Sequence, residues 1–386
     1  MKTTAVVALD QGSSSSRALA FDARGRVLAR AQRPVRTRYP SPGRVEHDAL
    51  DLARTLEGAL DAVLDKLPRG VPVVAGLSSQ RSTLVVWDSD SGAPLAAVPS
   101  WQDSRAAKWL APLAGDRDLQ AKVHAKTGLY LNPYYSAPKL RVLLEEVPAV
   151  RRAADAGTLR AGPVSTWLAW RLSGGKVFKA DPTTAQRMLL WDMRTGTWDE
   201  DLLALFEVPR ACLPELAATA APWFEFERRG RRVSLCAVVG DQQAAARGQG
   251  ACEAGQAVLN YGTGAFFLLN TGRTPGHVPG LLASAAWETP TGGPRWFLEG
   301  TVHAAGTSLE WLKNNLGVLA DPKEADAACR RAKAPLLALP AIGGLGAPHW
   351  DYKTPAVFWG LNAKTTKDDL VRGVVEGLAS LLADGI

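Results

Sequence analysis

Asp241 stands where a short apolar strand, Ala237 to Val239, passes through Gly240-Asp241-Gln242-Gln243 into a run of small residues with helical character. A carboxylate at such an elbow can cap the helix, and it can equally take a proton from a bound hydroxyl. Further on, a strand enters Tyr261-Gly262-Thr263-Gly264. The two glycines leave backbone N–H groups uncovered beside a hydroxyl, which suits phosphate oxygens, although two glycines also make an ordinary hairpin. The N-terminal stretch VVALDQGSSSSRALAFD has the same plan of strand, polar glycine loop and second strand. Its loop, from Asp10 to Arg17, collects a carboxylate, hydroxyls and a cation, groups useful around a magnesium-bound triphosphate. Two such hairpins, one early and one late, point to two related lobes facing a common phosphate.

A third set follows the apolar strand Val71 to Ser78. Ligand sites in α/β sheets lie beyond the carboxyl ends of strands, so Gln80 and Arg81 are placed to touch a substrate. A hairpin of Thr83 to Trp87 with Pro94 to Val98, turning at Asp90-Ser91-Gly92, then delivers Trp101-Gln102-Asp103-Ser104-Arg105. An indole can pack on the C–H groups of a small polyol while neighbouring carboxylates take its hydroxyls. With thirteen tryptophans in the chain, a packing role for Trp101 is the competing reading.

The elements that must hold these groups are legible as periodic runs. Asp48 to Leu67 carries a helical apolar stripe that stops at Pro68-Arg69-Gly70, and helices are expected at Pro138–Glu146, Val164–Leu172, Asp199–Phe206 and His303–Leu316. Strands are expected at Leu281–Trp287 and Arg295–Glu299. The 386 residues, 46% hydrophobic, suffice for two domains with real cores. The net charge of +7 has its densest knot at Arg228-Arg229-Gly230-Arg231-Arg232, where the glycine marks a solvated turn between strands in preference to a nucleic-acid patch. Cys212, Cys236, Cys252 and Cys329 lie far apart without a CxxC pair, as in a reducing cytoplasm, and no apolar run is long enough for a signal peptide or a membrane span. His47, His303 and His349 lack metal-ligand company and read as structural.

The segments VALDQGSSSSRA, YPSPGRVEHD, SQRSTLVVWD, NPYYSAPKL, GDQQAA, YGTGAFFLLNTG and GLGAPHWD, spread along nearly the whole chain, resemble those of the FGGY family of carbohydrate kinases. The resemblance implies an α/β fold of two actin-like (ribonuclease H-like) ATPase lobes with a cleft between them. Residues 1–247 would carry the substrate and the first phosphate loop, and residues 248–386 the nucleotide. It implies ATP and Mg²⁺ as cofactors and phosphorylation of a small polyol or sugar hydroxyl, with glycerol to glycerol 3-phosphate the first expectation. A kinase for xylulose, ribulose or erythritol, and a catalytically silent binding protein, stay open as alternatives.

Carried onto this chain, the resemblance gives Asp10 to Mg²⁺ and Ser13, Ser14 and Arg17 to phosphate oxygens. Asp241 becomes the base. Gln80, Arg81, Ser82, Trp101, Asp103, Tyr134, Gln242 and Phe266 become the substrate pocket, and Thr263, Gly264, Gly306 and Glu310 the nucleotide side. Glycerol-phosphorylating members carry a glutamate where Ser82 stands, which makes Asp103 a candidate replacement, and the family has glutamine in place of Glu310. Family members also continue beyond this sequence, so the second lobe is expected to be incomplete. The helix opened by Thr366, with Leu370, Val374, Val375, Leu378, Leu381 and Leu382 on one face, is then expected to leave that face exposed and to promote self-association.

Overall fold

The computed structural model describes residues 4–385 except 263, 335 and 352. The chain folds as two compact units, Met1–Ala245 with Ala285–Arg295, and Ala246–Ser284 with Trp296–Ile386. The excursion of Ala285–Arg295 into the first unit is a discontinuity that no local sequence feature announces.

The first unit is built on a six-stranded sheet from β1 (Ala5–Gln11), β2 (Ser15–Phe21), β3 (Val27–Pro34), β4 (Val73–Ser79), β5 (Ala220–Arg228) and β6 (Arg231–Gly240), in the order β5-β6-β4-β1-β2-β3. Alternation fixes which face each strand buries: in β1, Ala5, Val7, Leu9 and Gln11 point inward while Val6 is exposed. The β1–β2–β3 meander is antiparallel, whereas β6, β4 and β1 run parallel. Helix α1 (Ala49–Leu64) covers β2 and β3. Asp48 caps it by accepting from Asp51 N, and Leu52, Leu56, Leu60, Val63 and Leu64 form its buried stripe. Helix α2 (Ser136–Glu146) and helix α3 (Val164–Leu172) follow as expected, with Trp167 enclosed edge-on against Trp87 at 5.2 Å.

The expected hairpin after β4 needs correcting. Strand Leu84–Asp88 forms, but its ladder partner is Leu159–Pro163, in register from Leu84↔Pro163 to Asp88↔Leu159. The stretch beyond the Gly92 turn does fold back, through a bridge at Trp87↔Pro94 and bonds from Asp88 N to Ala93 O and from Leu95 N to Val86 O, but it forms no strand there. Pro94 has no N–H to extend that ladder, and burial of Trp87 in the tryptophan cluster favours the distant partner.

The arginine knot is a turn between β5 and β6, and acids of its own unit neutralise it. Arg228 binds Asp61 and Glu57, Arg229 binds Asp65, Arg232 binds Glu225, and Arg231 donates to the carbonyls of Leu67 and Pro68.

A second, four-stranded sheet holds β7 (Ala257–Tyr261), β8 (Ala265–Gly272), β9 (Leu282–Thr289) and β10 (Gly293–Val302), in the order β7-β8-β10-β9. The last helix (Lys367–Ala383) starts at a capping box formed by Thr366 and Asp369. Its apolar face is not exposed, contrary to the expectation above. Val371, Val374, Leu378, Leu381 and Leu382 are buried in a core shared with Ala265, Val302, Leu312 and Leu319. Among the described residues no helix is long and apolar enough to cross a membrane.

Candidate active site

The three parallel strands end level with one another. Gln11 of β1 is paired with Ser79 of β4, and Ser79 with Gly240 of β6. The chain segments leaving that edge are Gly12–Ser14, Gln80–Thr83 and the helix Asp241–Gly248, so the sheet itself gathers three of the segments singled out from sequence. Gly240 is needed for this: a Cβ there would lie 2.8 Å from Gln243 Oε1 and 3.0 Å from Cγ and Cδ of Arg81. Without that atom, Arg81 lies against the elbow with Nε 3.8 Å from Asp241 Oδ1. Gln242 N donates to the same oxygen at 2.8 Å.

Asp241 and Asp10 line a single cavity of about 360 Å³, together with Gly12, Ser14, Ser15, Arg17, Ser78, Gln242, Ala244 and Ala245. Ser78 donates to Asp10 Oδ1 at 3.0 Å, and Arg17 Nη1 stands 3.8 Å from Oδ2. Both carboxylates keep about a third of their side-chain surface open, 35% for Asp10 and 33% for Asp241. Asp10, Ser14, Arg17, Asp241 and Gln242 are thus brought together as a group.

Ser13 belongs to an adjoining chain of hydrogen bonds. Trp101 Nε1 donates to Ser13 Oγ at 2.9 Å, Ser13 Oγ to Gln80 Oε1 at 3.4 Å, and Thr83 Oγ1 to the same Gln80 oxygen at 2.9 Å. Gln80 Nε2 in turn donates to Gln11 Oε1, tying the loop back to β1. Trp101 is 36% exposed beside this chain. Ser82 adopts φ +61°, a left-handed conformation that costs a non-glycine residue energy, and its carbonyl is held by Lys139 Nζ at 3.0 Å. The same ammonium holds Ser100 O at 2.6 Å, so one side chain ties together the backbones leading to Arg81 and Trp101. Burial pushes the Lys139 pKa down to about 7. Tyr134 is half-buried just before α2, and burial raises its pKa.

Asp103 is the site candidate whose expected role the geometry contradicts. It is fully buried, Oδ1 accepting from Arg105 N and Nε and Oδ2 from Val45 N and Arg105 Nη2. Burial pushes its pKa up, yet Arg105 and the backbone donors hold it below the ordinary carboxylate value. With its acceptor sites taken and no surface exposed, it is in no position to take over a polyol contact from a missing glutamate.

In the second unit, Gly262 N donates to Gly264 O, and Gly306 N donates to Gly262 O at 2.9 Å. The glycine loop therefore lies against the start of helix Gly306–Asn314. A Cβ on Gly264 would come within 2.8 Å of Val302 O, so only glycine lets the β8 strand approach there. Phe266 is half-buried, and Glu310 is exposed and accepts from Asn314. Thr263 lies outside the described residues.

Sequence reasoning missed Ser78, Thr83 and Lys139. The first two had no signal beyond proximity to Gln80. Lys139 had one: a charged residue on the apolar stripe of a short helix, between Pro138 and Leu140, is a buried cation awaiting acceptors.

Comparison with known proteins identifies the family. The N-terminal domain model of the FGGY family of carbohydrate kinases matches residues 5–247, and its C-terminal domain model matches residues 257–386. A glycerol kinase of Thermus brockianus is 41% identical over 381 residues, covering 97% of this chain and 76% of that protein. One from Geobacter sp. (strain M21) is 37% identical over 390 residues, covering 99% and 78%. The crystal structure of Plasmodium falciparum glycerol kinase with ADP superimposes with a TM-score of 0.89 at 28% identity, covering 99% of this chain and 78% of that one. With both domain models matched and the two-lobed α/β fold shared, the chain belongs to the FGGY family of carbohydrate kinases.

Proposed function

We propose that this protein transfers the γ-phosphoryl group of ATP to a hydroxyl of glycerol, giving glycerol 3-phosphate and ADP. The observation that carries the proposal is the pair of open carboxylates, Asp10 and Asp241, on one cavity with Arg17 at a common strand edge. The relatives' activity supports the choice of reaction.

Asp241 is the base. It orients the attacking hydroxyl and accepts its proton, with Arg81 standing 3.8 Å away. Gln80, Arg81, Trp101, Tyr134 and Gln242 bind the polyol, with Phe266 as an apolar wall and Ser82 at the loop that shapes the pocket. Ser13, Ser14 and Arg17 take phosphate oxygens, and Gly264 and Gly306 lie on the nucleotide side in the second unit, where their lack of a side chain leaves room for phosphate. Thr263 would join them. Glu310, exposed and engaged with Asn314, contributes at most a ribose contact. The first unit thus serves substrate and first phosphate loop, and the second the nucleotide.

Among the described residues no cluster of three or more His, Cys, Asp or Glu forms a ready metal cage. Mg²⁺ does not require one: it binds through one or two carboxylates plus phosphates and water. Asp10, open to the cavity and no closer than 3.8 Å to its arginine, fits that requirement. Bound there, Mg²⁺ would neutralise charge on the β- and γ-phosphates. The reduced cysteines, all unbridged, are consistent with a cytoplasmic setting.

Ser82, shorter than the glutamate of glycerol-phosphorylating relatives, is the feature that favours a larger polyol or ketose. An ADP-release assay with glycerol, erythritol, xylulose and ribulose decides between them. The proposal requires glycerol to give the highest kcat/KM, and ADP release with none of the four would refute it.

A further inference from the structure

Asp181 and Thr183 lie outside the cavity lining, far in sequence from Asp241, yet a buried chain of hydrogen bonds connects them to its elbow. Asp181 is fully buried. Its Oδ2 accepts from Thr183 N (3.1 Å), Thr183 Oγ1 (2.7 Å) and Thr219 Oγ1 (3.0 Å), and its Oδ1 from Thr184 N (3.2 Å) and Thr184 Oγ1 (2.7 Å). Capping the short helix Pro182–Ala185 uses only the two backbone donors. The three hydroxyls are surplus to a cap.

Two of those hydroxyls already accept a backbone N–H. Thr183 Oγ1 accepts from Gly240 N at 2.7 Å, and Thr219 Oγ1 accepts from Glu288 N at 3.1 Å. A hydroxyl has one proton; burial raises the Asp181 pKa, but five donors converge on its oxygens and favour the anion, which can only accept, so the chain has a direction. Gly240 N–H points at the Thr183 oxygen, and the Thr183 proton points at Asp181. Gly240 is the last residue of β6 and immediately precedes Asp241. Fixing its amide fixes the Val239–Gly240 peptide, and with it the strand end one residue before Asp241.

We propose that Asp181, acting through the Thr183 hydroxyl and the Gly240 amide, is a positioning residue that holds Asp241 in the orientation needed to take the substrate proton. The inference rests on Asp241 being the base. Neither Asp181 nor Thr183 touches the reacting atoms. A neutral amide at position 181 could donate to Thr183 and turn its hydroxyl around, breaking the direction of the relay while keeping its shape.

The test uses the whole chain with Thr183→Val, which removes the hydroxyl at nearly constant volume, and Thr183→Ser, which restores it. Hydrogen–deuterium exchange of peptides spanning Val238–Gln242 reads the relay without reference to activity. Exchange there should accelerate about tenfold in Thr183→Val and stay near wild type in Thr183→Ser. In ADP release with glycerol, Thr183→Val should lose about 10²-fold in kcat while both KM values move less than about threefold, and Thr183→Ser should recover most of the loss. Asp181→Asn should resemble Thr183→Val if it folds. Unchanged exchange in Thr183→Val overturns the relay. Faster exchange with undiminished kcat, or equal loss in Thr183→Ser, overturns its positioning role. Undiminished turnover in Asp241→Asn removes the base reading beneath it, a result read on a different variant.

Discussion

Two regions of the first unit pair aspartate with arginine, and they use the pair in opposite ways. At the strand edge, Arg17 and Arg81 stand 3.8 Å from Asp10 and Asp241, and both carboxylates keep about a third of their surface open. Beside Val45 and Glu46, Arg105 grips Asp103 at 2.8 Å and Glu46 at 2.7 Å, and neither Asp103 nor Arg105 is more than 3% exposed. The first arrangement leaves acceptor capacity for a ligand; the second has none left and works as a buried strut under the Trp101 loop. The same residue types in a similar motif therefore carry chemistry in one place and architecture in the other. Burial and donor count distinguish them.

The contrast is broken most sharply by removing the open carboxylate. Asp241→Asn should lower turnover by about 10³-fold while the thermal melt stays near the wild-type temperature, because the amide keeps the side chain's shape and an oxygen for Gln242 N. Removing the closed one should do the reverse. Asp103→Ala leaves Arg105 buried with only Glu46 to balance it, a loss of about 3 kcal/mol that lowers the melting temperature by about 6–12 °C. Its folded fraction should still turn over. If Asp103→Ala instead melts normally and loses activity, the strut reading fails.

Lys139 sharpens the comparison because it is a buried cation paired with carbonyls only. Its folded pKa of about 7 lies below the ordinary lysine value of 10.5, so between those pH values the unfolded chain holds a proton that the folded chain has released. Stability should therefore rise with pH from about 7 toward 10, by at most about 1.4 kcal/mol per unit, and stay flat below 7 for this group. Urea melts of wild type and Lys139→Met across that range measure it. The rise should be smaller in Lys139→Met, and identical slopes would contradict the assignment. The smallest effect is expected at the exposed pair of Arg229 with Asp65: Arg229→Ala should leave both the melting temperature and turnover close to wild type.

Much of this arrangement was legible in the sequence because it is local. Alternation in β1 and β4, the capped stripe of α1, and the strand-to-helix elbow at Gly240-Asp241 each involve neighbours a few residues apart. What was missed depends on distant pairing. The choice of Leu159–Pro163 as partner for Leu84–Asp88, the grip of Lys139 on Ser82 and Ser100, and the closure of Asp103 by Val45 and Arg105 are all set by tertiary packing. The last helix shows the same limit. Its apolar face was read correctly, but what covers that face could be learned only from the fold.

The central claim is that an open aspartate beside a phosphate cavity directs a phosphoryl group to an alcohol. Phosphorus NMR of the wild-type protein with glycerol and MgATP reads that transfer directly. The account predicts that the γ-phosphate resonance of ATP disappears as the phosphomonoester signal of glycerol 3-phosphate grows in equal amount with ADP. Release of inorganic phosphate in its place, or ATP left intact, would contradict it.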